Sequence, residues 1–172
     1  MMTSRFAKCA VAVGAIGLAA MLPSNAQAAS TTATAAAVVA VAIGIAKTVD
    51  MDFGTVAEDG SGGTIVLATD GSRTTTGGAS VLAASPGAAA SFNVTGEGAN
   101  TYSITLPGSV TLNSGGNSKT AGTFVSLPAT TGTLTAGAQT LLVGCTLAVA
   151  NAATQTPDTY TSALFTVTVN YN

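Results

Sequence analysis

The stretch "LFTVTVNYN", residues 164–172, alternates Phe165, Val167, Val169 and Tyr171 with Thr166, Thr168 and Asn170. A period of two sets the apolar four on one face of a strand and the polar three on the other, the pattern of a half-buried β-strand. The last residues of a chain fray unless something holds them. A closing strand this regular therefore predicts a β fold in which the end of the chain is gripped.

Moving outward, short period-two runs recur along the sequence, separated by turn residues. The pattern predicts strands near 43–53, 64–68, 79–83, 89–95, 101–106, 109–112, 122–127, 140–149 and 160–171. Between them lie "EDGSGG", "DGSR", "SPGA", "GEGAN", "LPGS", "NSGGN" and "TPD", where Gly, Pro, Asn and Asp supply dihedrals that strands do not. Many short strands at such spacing are the signature of an all-β sandwich or barrel, and residues 43–172 read as one β-sandwich domain. Charged residues make up only 7% of the chain, but at 47% apolar it does not have the composition of a disordered segment.

The opening residues read as targeting rather than fold. Arg5 and Lys8 precede the apolar run "CAVAVGAIGLAAML", and "PSNAQA" ends in a small-x-small pattern at Ala26 and Ala28. This is the layout of a secretory signal peptide over 1–28, and the run is shorter than the ~20 residues of a spanning helix. The expectation is an exported protein, in the periplasm in transit and then at the cell surface or outside, with no direct membrane insertion. After cleavage 144 residues remain, carrying three basic side chains against seven acidic ones, a net charge of −4. That balance argues against nucleic acid as a partner. One cysteine is left, so no internal disulfide forms. Cys145 is in step with Leu141, Val143, Leu147 and Val149 and reads as an inward-facing core residue, the competing reading being a free reactive thiol.

Catalytic chemistry finds little support. The chain has no histidine, which removes the commonest general base and metal ligand. No G-x-S-x-G elbow is present, and neither Lys47 nor Lys119 sits in an S-x-x-K motif. Asp50 and Asp52 share a strand face, and Glu58 and Asp59 precede a glycine-rich turn; solvated turn chemistry outweighs a calcium site there. The sequence is read as non-enzymatic, with no cofactor and no metal.

Residues 29–42, "ASTTATAAAVVAVA", form a low-complexity arm with no turn signal before the first strand. Threonine and valine favour an extended arm over a helix. It can pair with its own domain or with a neighbouring molecule.

Taken together, "VDMDFGTVA" (49–57), "SFNVTGEGANTYSITLP" (91–107), "LLVGCTLAV" (141–149) and "TYTSALFTVTVNYN" (159–172) resemble, in order and spacing, the blocks of a bacterial family known as domain of unknown function 4402. More distantly, the apolar arm and the penultimate tyrosine of the closing strand are similar to chaperone-usher pilins. That resemblance implies an immunoglobulin-like, pilin-like sandwich with an open groove, filled first by a periplasmic chaperone and then by the arm of an identical or related subunit, at an outer-membrane usher. Such strand addition combines main-chain hydrogen bonds with alternate side chains in pockets. By alternation the donor residues are Ala35, Ala37, Val39, Val41 and Ile43. The acceptor or chaperone-binding strand is Phe165, Val167, Val169 and Tyr171, with the Asn172 carboxylate as a chaperone anchor. The implied function is a structural subunit of a surface fibre or pilus supporting adhesion or biofilm. The alternative is a self-contained secreted or surface-associated binding domain whose arm folds into its own sheet.

Overall fold

A computed structural model describes residues 28–149, 158–162 and 164–172. The signal peptide expected over 1–28 lies, but for Ala28, outside the described residues. Among those residues there is no helix, and hence none long and apolar enough to cross a membrane. The described residues form eleven strands in the order β1 (Gly44–Val49), β2 (Val56–Leu67), β3 (Arg73–Val81), β4 (Ala90–Thr95), β5 (Thr101–Thr105), β6 (Ser109–Ser114), β7 (Asn117–Leu127), β8 (Thr131–Thr133), β9 (Ala138–Val149), β10 (Thr161–Ser162) and β11 (Thr168–Tyr171).

They build two antiparallel sheets, and the protein is an all-β sandwich. The large sheet has the order β1-β4-β9-β7-β6-β10, with β2 added to β9 and β3 to β2; the small sheet is β11-β5-β8. Strand β9 is the spine. One of its edges pairs with β4 through residues 138–143 and then with β2 through 145–149, while the other carries β7. Its inward residues Leu141, Val143, Cys145, Leu147 and Val149 are all buried, the face that the alternation in the sequence assigns to the core.

The core divides into two clusters. In the first, Ala90, Phe92, Val94, Leu141 and Val143 of the large sheet meet Tyr102, Leu134, Val167 and Val169 from the side of the small sheet. Tyr102 is fully buried, and its hydroxyl donates to Gln139 Oε1 at 2.8 Å. Its ring lies so close to Gly132 that a Cβ at that position would fall 2.2 Å from Tyr102 Cζ, so only glycine fits. The second cluster gathers Ile65, Leu67, Ala79, Ala121, Cys145, Leu147 and Val149, capped by Phe53 and flanked by Met51, Leu112 and Phe124. No strand of the small sheet contributes to it.

Four expectations are corrected. The segment 160–171 is not one strand: Thr161–Ser162 pairs with β6 in the large sheet and Thr168–Tyr171 with β5 in the small one. The two parts join different sheets, and residues 164–167 ahead of the second part have no strand structure. The burial phase survives the change of sheet, because Val167 and Val169 are buried, Phe165 and Tyr171 half-buried, and the residues between them exposed. Next, "EDGSGG" is not a turn but a bulge inside β2. The pairing of β2 with β3 shifts between Glu58 and Gly63, and Glu58 Oε1 accepts hydrogen bonds from the Gly60 and Gly62 amides at 2.9 and 2.7 Å. Finally, β8 is an additional short strand in "TTGT", and β3 begins at Arg73 rather than near 79.

Candidate functional site

One of the two compact units of the chain spans Val38–Asn172. Residues 28–42 have no strand structure and are exposed throughout, so Ala35, Ala37, Val39 and Val41 are all open to water. Val38 and Val39 are 97% and 94% exposed, whereas Val41 falls to 61%. Ile43 differs from the others: it packs against the first core cluster of its own domain, and β1 begins one residue later, paired with β4.

The drop in exposure at Val41 has a specific cause. The Tyr171 hydroxyl donates to the Val41 carbonyl at 2.9 Å and accepts from the Glu97 amide at 2.6 Å. Glu97 Oε2 in turn accepts from the Val41 amide at 3.3 Å. Both main-chain groups of Val41 are thus held by the loop after β4 and by the penultimate residue. The arrangement requires Gly96, where a Cβ would lie 2.2 Å from the Tyr171 oxygen. Alternation places Tyr171 on the apolar face of its strand, but Glu97 carries no sequence signal for this role, since it stands in an ordinary turn, "GEGAN".

Strand β11 is gripped by its own domain. It pairs with β5 from Thr168↔Thr105 to Tyr171↔Tyr102, and Asn172 extends the contact through its amide to the Thr101 carbonyl at 3.3 Å and its side chain to Thr101 Oγ1 at 3.1 Å. Asn172 itself is exposed. Val167 and Val169 point into the first cluster, and Phe165 packs edge-on to Phe92, centroids 6.4 Å apart, and against Phe124 at 5.4 Å. Because β11 ends the small sheet, its outer edge has no strand partner among the described residues. The structure therefore brings Val41 to Tyr171, while Val39 is almost wholly in water and Ala35 and Ala37 are exposed.

A second feature lies over the core cluster that the small sheet leaves uncovered. A cleft of about 770 Å³ is walled by Met51, Phe53, Phe92, Leu112, Leu147 and Phe165. Asp50, Asp52 and Asp158 stand along it, and so does Lys119. Lys119 projects with Ala121 from the inner face of β7 and is 9% exposed; its ammonium lies 4.4 Å from the centre of the Tyr160 ring. Desolvation lowers its pKa, opposed by the negative charge of Glu58. Asp158 accepts a short hydrogen bond from the buried Ser114 hydroxyl, which holds its carboxyl below the usual range.

The acidic pairs do not assemble. Asp50 pairs with Lys47, Asp52 Oδ1 accepts from the Gly54 amide at 2.7 Å, and Glu58 holds the β2 bulge. Among the described residues no three His, Cys, Asp or Glu side chains come together. Cys145 is buried, its sulfur 3.2 Å from Met51 Sδ, and burial pushes its thiol up to about 12.

An all-β sandwich with a tethered, water-exposed arm is the class that fold and site define. Within it the chain belongs to the family described as Domain of unknown function (DUF4402), whose model matches residues 43–171. Searches of curated proteins and of solved structures returned no match.

Proposed function

We propose that this protein is an exported structural subunit of a surface fibre or pilus, non-catalytic, whose copies join by exchange of an N-terminal strand. The observation that carries this reading is the arm: an apolar segment without strand structure, with Val38 and Val39 almost wholly in water. Such a segment lowers its free energy by adding to a sheet edge, and β11, which carries the buried Val169, ends the small sheet. The donor stretch is then Ala35 to Val41, because Ile43 is already engaged in its own core. A periplasmic chaperone covering the same edge before assembly, an outer-membrane usher, an immunoglobulin-like arrangement of the sheets and a role in adhesion or biofilm belong to the same proposal.

A specific observation favours the second reading, a self-contained surface-associated binding domain. Val41 is held on both sides by Glu97 and Tyr171 of its own chain. The two readings separate in one experiment, in which light scattering and negative-stain microscopy compare residues 29–172 with a chain starting at Ile43. Fibres or ladders that vanish without the arm establish exchange between subunits. A monomer in both cases, merely destabilised by the truncation, overturns the fibre and leaves the binding domain.

A further inference from the structure

Lys119 is out of place as a strand residue of a sandwich. The alternation along β7 turns it, with Ala121, toward the interior, across from Leu112 on β6. A lysine whose purpose is solvation extends its ammonium to water along an apolar stem. This one, 9% exposed, does not. Among the described residues the one ion pair is Lys47 with Asp50, so no described carboxylate lies within ion-pair distance of Lys119. Its close companion is the face of Tyr160, which attracts a cation but does not neutralise it. Glu58 acts on it only as a charge at longer range. A buried cation is costly unless a counter-charge approaches it.

The cleft beside it has the size of a small-molecule site, about 770 Å³, and its aromatic and aliphatic walls are mixed with charged and hydroxyl side chains. We propose that this cleft binds a monocarboxylate with an apolar chain, the carboxylate paired with the Lys119 ammonium and the chain laid along Leu112, Leu147 and Phe165. Along it the ammoniums of Lys47 and Lys119 are outnumbered by the carboxylates of Asp50, Asp52 and Asp158, which give the specificity a sign. Their negative charge repels a second anionic group, so the site selects a single acid end over a dicarboxylate. This ligand is independent of strand exchange and of the free edge of β11.

The test is calorimetric titration of the purified protein with octanoate, octan-1-ol and suberate, with methyl NMR to locate binding. Octanoate binds saturably, shifting the Met51 and Leu147 methyls, and Lys119→Met weakens it at least about tenfold, as loss of one charge-assisted hydrogen bond requires. Lys119→Arg keeps the charge and stays within about threefold of the parent. Octanol and suberate each bind about tenfold or more weakly than octanoate. Octanol binding as well as octanoate, or octanoate indifferent to Lys119→Met, overturns the proposal by reducing the cleft to an apolar surface. A synthetic peptide of residues 35–43 shifting the same methyls while octanoate leaves them unmoved also overturns it, and makes the cleft an acceptor for the arm of a second copy. If Lys119→Met does not fold, the octanoate, octanol and suberate series on the unmodified protein decides.

Discussion

The two halves of the large sheet's inner face are closed in different ways. Over Phe92, Val94, Leu141 and Val143 lies a second sheet, which contributes Tyr102 and Val169, joined by Val167 just before β11, and leaves Tyr102 with no exposed surface. Over Ala121, Cys145 and Leu147 no second sheet lies among the described residues; Phe53 and Met51 cap part of the face, and the rest opens into the cleft with Lys119. The first half is packed for stability, with its one polar tip satisfied by Gln139. The second accommodates a charged group in an apolar wall, an arrangement that stability alone does not favour. Stability and ligand chemistry are thus divided along β9, whose first residues serve one half and whose last residues serve the other.

The largest test of this contrast is truncation on each side. Tyr102→Ala removes a fully buried aromatic and is expected to cost about 3–5 kcal/mol in urea unfolding, while Leu112→Ala at the edge of the cleft costs about 1 kcal/mol. Equal losses would break the comparison. Next in size is Gly132→Ala, which pushes a methyl into the Tyr102 ring and is expected to cost about 1–3 kcal/mol; Gly116→Ala, where a Cβ meets nothing within 4 Å, serves as the neutral control in the same thermal melts.

A third prediction concerns pH. With the Cys145 thiol pushed up to about 12 in the fold and near 8.5 in the unfolded chain, the native state keeps a proton that the unfolded state releases. The associated stability is complete below about pH 8.5 and is lost, at about 1.4 kcal/mol per pH unit, as pH rises toward 12. Cys145→Ala should flatten that slope between about pH 9 and 11 relative to the parent protein; parallel slopes would mean that the thiol is open to water in solution.

The smallest effect belongs to the clasp at the rim of the closed half. Tyr171→Phe leaves the Val41 carbonyl and the Glu97 amide without their shared partner, for about 0.5–1.5 kcal/mol and about tenfold faster amide exchange at Glu97. Unchanged exchange would detach the arm's root from the last strand.

Sequence reasoning reached the phase of the strands but not always their extent. Val167 and Val169 face inward because period-two alternation depends only on local pleating, which is written in the residues themselves. Where 160–171 breaks depends on which sheet each part joins, and that is decided by β5 and β6, far away in sequence. Glycines in "EDGSGG" carry the same signal whether they turn the chain or bulge it; the Glu58 carboxylate that settles the matter is a local acceptor whose use becomes visible only with the pairing register. Lys119 was the least legible. In "NSKTAG", next to a tight turn, a lysine reads as solvated, and only the inward phase shared with Ala121 speaks against that. Family membership was legible in four blocks that, but for Asn172, lie within the matched residues 43–171.

The clasp has a mechanical side. A pull on the arm from residue 38 is taken up first at Val41, where the load divides between the Glu97 carboxylate and the Tyr171 hydroxyl before it reaches the ladder of β1 on β4. The yield point under tension therefore sits in two replaceable hydrogen bonds at the surface, and the packed sheets behind them are spared until both have parted.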